Sequence, residues 1–180
     1  YYQKRLRFVA ESMNIPWAAL DKLDIINGRG LPPLLEGNIF TELLEIASGY
    51  DVIFIDPLYK VHSGDENKAD DMKKPLLAFD MICEMSGAAV VYTHHNQKGL
   101  SGDRKLVDRG SGSGIMARDY DTMISLSPHV QDGLIVLDVL TRNYLSPLPL
   151  SLQQDGTFRI INIAPEELTS QTVGEKKKMT

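Results

Sequence analysis

Two apolar runs, each stopped by a polar tip, constrain this chain more than any other feature. The first is Asp51-Val52-Ile53-Phe54-Ile55-Asp56-Pro57, four consecutive apolar residues ended by an acid and a proline. The second is Ala88-Ala89-Val90-Val91-Tyr92-Thr93, which runs straight into His94-His95. Unbroken runs rich in β-branched and aromatic residues are expected as strands buried on both faces, as in a parallel sheet. Between them, residues 67–86 carry Met72, Leu76, Phe79, Ile82 and Cys83 at helical spacing, with Pro75 expected to restart or kink the helix. Strand, helix and strand within about 45 residues make a βαβ unit with a right-handed crossover.

The flanks extend this pattern. Residues 3–13 place Leu6, Val9 (or Ala10) and Met13 on one helical face, closed by Asn14 and Pro16. A short strand is expected over Leu23–Asn27, ended by Gly28-Arg29-Gly30, and a second helix over residues 36–48, stopped at Gly49. Residues 96–109 have no apolar period and read as a long exposed loop. Beyond it, Gly112 to Arg118 begins a short helix and Asp121 to Leu126 alternates like a strand. Antiparallel strands are expected over Leu134–Thr141, Pro149–Gln153 and Thr157–Ile163, turning at Asp132-Gly133 and Asp155-Gly156. With 180 residues, 43% of them hydrophobic, one core suffices: residues 1–165 read as one α/β domain and 166–180, with Lys176-Lys177-Lys178, as a tail or linker.

Charge and cysteine content exclude several classes. Nineteen Lys and Arg against twenty-four Asp and Glu give a net charge of −5, so the whole molecule is not a polycation made to coat nucleic acid. Any such binding has to be local. A single cysteine, Cys83, cannot form an internal disulfide, and no apolar run reaches the roughly 18 residues of a membrane span, so a cytoplasmic protein without membrane contact is expected. The acidic cluster Asp65, Glu66, Asp70 and Asp71 is interleaved with Lys68, Lys73 and Lys74 and reads as a solvated loop and helix start rather than a metal site.

Ligands of open parallel α/β sheets bind beyond the carboxyl ends of the strands. If the two strands are neighbours, Asp56 and His94-His95 project toward one crevice. A carboxylate at such a strand tip is what a magnesium–nucleotide site requires. The bland alternatives are a turn-forming Asp and a packed His. A further alternative is a metal-dependent hydrolase using His94, His95 and Asp56, with Asp103 or Asp108 completing the shell; adjacent strand residues point to opposite faces, which weighs against it.

The run Asp51 to Ser127 resembles the ATPase core of RecA-like replication proteins, closest to plasmid RepA-type hexameric helicases and related ATPases of phages and mobile elements. The motifs that carry the resemblance are Val52-Ile53-Phe54-Ile55-Asp56-Pro57-Leu58, the Gly64-Asp65-Glu66-Asn67 turn, Thr93-His94-His95-Asn96-Gln97-Lys98-Gly99, and Ser111-Gly112-Ser113-Gly114 with Arg118-Asp119-Tyr120-Asp121. The resemblance implies a three-layer fold with a mostly parallel central sheet and C-terminal antiparallel hairpins. It implies that Asp56 is the acid positioning Mg2+ and that His94, with His95, senses the γ-phosphate of ATP. Asp56, Pro57, Ser111, Gly112 and Ser113 would line the nucleotide site. Lys98, Arg104, Lys105 and Arg109 would track single-stranded DNA by charge, against a solvated-loop alternative in which Asp103 and Asp108 offset them. Arg142 would serve as a basic finger reaching a neighbouring subunit's nucleotide in a homo-oligomer, a ring of six; a structural Arg is the alternative.

One departure stands against the match. The sequence contains no Gly-x-x-x-x-Gly-Lys-Ser/Thr, the loop whose amides and lysine grip phosphates. The expectation is a C-terminal piece of a longer ATPase that lacks the phosphate-loop strand and hydrolyses ATP poorly by itself, rather than a non-catalytic assembly or DNA-binding module of the same shape.

Overall fold

The computed structural model describes residues 2–65, 68–95, 115–116, 119–129, 131–154 and 158–161. Helix α1, Tyr2–Ser12, ends where Asn14 turns left-handed, with φ of 56°. There the Ile15 N–H reaches the Ala10 carbonyl at 2.8 Å and the Asn14 N–H reaches that of Glu11 at 3.1 Å, the two bonds of a Schellman cap. Of the alternatives at the apolar face, Ala10 is the buried one, and Val9 and Met13 face solvent. A 3-10 turn, Trp17–Leu20, follows, and the Arg7 guanidinium lies 5.4 Å from the Trp17 ring centroid.

Residues 23–27 form no strand, contrary to the sequence expectation. A strand needs a neighbouring ladder, and this segment is held by side chains instead. Tyr50 donates its hydroxyl to Asp24 at 2.6 Å, which raises the phenol's pKa, and Asn27 accepts the Arg29 N–H at 3.2 Å.

Helix α2, Gly37–Ala47, leads into strand β1, Val52–Ile55. A 3-10 turn, Leu58–Lys60, and helix α3, Ala69–Ser86, carry the chain to strand β2, Ala89–Tyr92. The two strands pair in parallel, Val52 opposite Ala89 and Ile55 opposite Tyr92, which bears out the βαβ reading. Helix α3 runs unbroken through Pro75, which is fully buried, and stops at Gly87 with φ of 73°. Met72, Leu76, Phe79 and Ile82 of α3 are buried with Ile55 and Leu58, and α2 adds Ala47 with the half-buried Phe40, Leu43 and Leu44. Each such buried Leu, Ile, Met or Phe contributes about 1.5–3 kcal/mol.

Burial on both faces of the parallel pair does not hold. Ile53, Ile55, Val90 and Tyr92 pack into the core, whereas Val52, Phe54 and Val91 on the opposite face are 45%, 73% and 41% exposed. Helices cover one side only among the described residues. A single mostly parallel central sheet is likewise not what these residues form. Strands β3 (Thr122–Pro128), β4 (Leu134–Thr141), β5 (Leu150–Gln154) and β6 (Phe158–Ile161) make a separate antiparallel sheet in chain order. The hairpins expected from the sequence are therefore present as a meander, with Gly133 at φ of 80° in the turn before β4. The architecture is mixed α/β, a two-stranded parallel sheet beside a four-stranded antiparallel one.

The acidic bend between β1 and α3 is tightly built. His62 is buried, and its Nδ1 accepts the Gly64 N–H at 3.0 Å. Asp71 Oδ2 accepts the Asp65 N–H at 3.0 Å, and an added Cβ at Gly64 would lie 2.8 Å from Asp71 Cβ. Glu36 accepts both the hydroxyl and the N–H of Ser63, which holds its carboxyl below the usual range. Asp70 pairs with Lys73 at 2.7 Å. These partners make Asp65, Asp70 and Asp71 part of a helix start with local ion pairing, as the sequence suggested, and Glu66 lies outside the described residues.

Candidate functional site

The parallel register brings the two polar tips together. Ile55 lies opposite Tyr92, so the next residues, Asp56 and Thr93, are neighbours at the carboxyl end of the pair. The Thr93 hydroxyl donates to Asp56 Oδ1 at 2.5 Å. Backbone bonds bracket this contact: Thr93 N–H donates to the Ile55 carbonyl at 2.9 Å, and the Leu58 N–H donates to the Thr93 carbonyl at 3.0 Å. Leu58 is fully buried and pins the turn from beneath, and the Asp56-Pro57 peptide is cis. The Asp56 side chain itself is exposed.

The two histidines differ. His94 is half-buried, with both ring nitrogens shut off from solvent. His95 is exposed, its ring centroid 6.0 Å from that of Tyr59, and the Lys60 ammonium lies 4.9 Å from the centroid of the same Tyr59 ring. As the site stands, His95 rather than His94 is open to a ligand.

A second polar group adjoins the end of β2. Tyr92 stacks on Phe79 with centroids 5.0 Å apart, and burial, with the Asp119 and Tyr120 charges, pushes its phenol up to about 12. Burial raises the Asp119 carboxyl, and Asp80 raises it further while Arg142 opposes the shift. Arg142 follows β4, exposed, with its N–H on the Asp121 carbonyl at 2.8 Å and Nη1 3.7 Å from Asp121 Oδ1. It sits with Asp119, Tyr120 and Asp121 at the entry to β3, so its own chain offers it acidic company.

Of the sequence-derived site residues, Asp56, Pro57, His94 and His95 are gathered at one sheet end, and Arg142 lies with the Asp119–Asp121 group. Lys98, Arg104, Lys105, Arg109, Ser111, Gly112 and Ser113 fall outside the described residues, as do Asp103 and Asp108 of the hydrolase alternative. Among the described residues no three His, Cys, Asp or Glu side chains gather to hold a metal ion. No helix of the described residues is long and apolar enough to cross a membrane. Sequence reasoning gave no role to Thr93, Tyr59 or Asp119. For Thr93 the signal was available, since aligning the ends of the two apolar runs sets it opposite Asp56.

The donor set fits magnesium in part. An exposed carboxylate is a hard oxygen ligand, and Mg2+ keeps most of its waters, so one such group at a strand tip is a normal share of its shell. The amide nest and lysine that would hold a triphosphate are not in this sequence. A model of a known protein family, described as an AAA domain, matches residues 2–101, from α1 through β2.

Proposed function

This chain belongs to the AAA-domain family, and from that membership we propose that it is the magnesium and sensor portion of a replication ATPase of the RepA-helicase kind, moving on single-stranded DNA as a homo-oligomeric ring. An ATPase-type function is what the family implies, and ATP with Mg2+ is its general cofactor pair. The observation that carries the finer reading is the 2.5 Å bond between the Asp56 carboxylate and Thr93, the residue preceding His94-His95, at the carboxyl end of parallel strands.

In this reading Asp56 holds magnesium through its free lone pairs and water, and the ion's charge offsets that of the phosphates. His95, the exposed imidazole, meets the terminal phosphate, and His94 behind it braces the strand end. Lys98, Arg104, Lys105 and Arg109 contact DNA phosphates, and Arg142 reaches toward a neighbouring copy. The phosphate-gripping loop is not in this sequence. Without it, turnover by the chain alone is expected to be poor, since loss of even one such donor costs about 10²–10³-fold.

Three measurements test the reading. Sequencing the codons upstream of Tyr1 is expected to show a glycine-rich loop ending in Lys-Ser/Thr; an initiation codon there would favour the non-catalytic module. In the polypeptide that joins this chain to such a loop, Asp56→Ala is expected to abolish magnesium-dependent ATP turnover, and unchanged turnover removes the role given to Asp56. For DNA, replacing Lys98, Arg104, Lys105 and Arg109 together by Ala should flatten the slope of log affinity against log salt by up to about 3, at about 0.7 per single-strand phosphate contact. An unaltered slope would return that segment to a solvated loop.

A further inference from the structure

We propose that Thr93 is a positioning residue for the Asp56 carboxylate, fixing the direction in which that carboxylate offers its remaining lone pairs to a divalent cation. This deepens the reading above and rests on its assignment of Asp56.

The backbone on both sides of Asp56 is already tied to Thr93: the Ile55 carbonyl accepts its N–H at 2.9 Å, and the Leu58 N–H donates to its carbonyl at 3.0 Å. The position of the Asp56 Cα is therefore set by the sheet and by Leu58 beneath it. What the backbone leaves open is rotation of the side chain. The Thr93 hydroxyl removes that freedom with a short, charge-assisted bond of 2.5 Å to Oδ1. Threonine suits the task because its β-branch stiffens χ1, so the hydroxyl is itself held in place.

The bond does little for the core. Both Asp56 and Thr93 are exposed, where water competes for each partner and a hydrogen bond adds little net stability. Its effect is directional. A carboxylate has about four lone-pair sites, and one taken by Thr93 leaves the others for a cation with the plane of the group settled beforehand. An outer partner of this sort typically governs cation affinity by about 10–100-fold when removed. Thr93 also joins Asp56 to His94 through one peptide unit, so the residue that aims the acid is the one from which the histidine pair departs.

The test uses Thr93→Val, which keeps the branched shape and loses the hydroxyl, and Thr93→Ser, which keeps the hydroxyl. Mn2+ is titrated into the isotope-labelled chain, reading paramagnetic broadening of the amides of residues 56–60 and 93–95, with circular dichroism to confirm the fold. Expected are at least about tenfold weaker broadening affinity for Thr93→Val and wild-type affinity within about twofold for Thr93→Ser. Equal affinity in wild type and Thr93→Val, or equal loss in both variants, overturns the role of Thr93. Asp56→Asn separates the two levels. Broadening that survives it unchanged sinks the cation role of Asp56 itself; broadening lost in Asp56→Asn but kept in Thr93→Val sinks only the positioning role. Should Thr93→Val unfold, the Thr93→Ser and Thr93→Ala pair makes the same comparison.

Discussion

The two faces of the β1–β2 pair have almost the same composition and opposite fates. Ile53, Ile55, Val90 and Tyr92 meet Met72, Leu76, Phe79 and Ile82 of α3, while Val52, Phe54 and Val91 face outward. A side chain's apolar character states only that it gains by burial; a covering element decides whether the gain is made. The helix that links the strands necessarily covers the side it crosses, and nothing in a βαβ unit by itself covers the other.

That contrast can be broken at defined positions. The largest effect is expected for Phe79→Ala on the covered side, at about 3–5 kcal/mol of unfolding free energy in urea titration, because Phe79 is 5% exposed and stacks on Tyr92. Phe54→Ala, an identical truncation on the open side where the ring is 73% exposed, is expected to stay within about 0.5 kcal/mol. Similar losses at the two positions would mean that the outward face is covered in solution.

Tyr92 sharpens the comparison by pH. Its phenol is raised to about 12, chiefly by burial, from an ordinary value near 10. For an acid whose folded pKa is raised, stability is complete below the unfolded value and is lost as pH climbs through the folded one. The window is therefore pH 10 to 12, with about 3 kcal/mol at stake. Tyr92→Phe should flatten the fall in stability across that window, as followed by chemical denaturation at stepped pH. An identical fall in the variant would assign it to other groups.

The elements with a long period were legible in the sequence. Helices α2 and α3, both parallel strands and the β3–β4 hairpin follow from apolar spacing and from Gly49, Gly87 and Gly133 as stops and turns. Leu23–Asn27 has the apolar residues of a strand, but a strand is a relation between two segments, and among the described residues this one has no ladder partner. Burial on both faces was over-read for a similar reason, since an unbroken apolar run does not record which side a helix crosses. At the site, Asp56 and the histidines could be seen as strand tips. The difference between His94 and His95 could not, because it depends on how the chain leaves the strand. The bond from Thr93 to Asp56 exists only once the register of β1 and β2 is set.

Gly64 settles how far the sheet's tip may stand from the start of α3. A methyl group there would arrive 2.8 Å from Asp71 Cβ and 3.2 Å from the His62 imidazole, so the hinge between strand and helix is spaced by a hydrogen atom. Any larger group at this one point acts as a wedge, prising the first turn of the crossover helix away from the bend that follows the turn carrying Asp56.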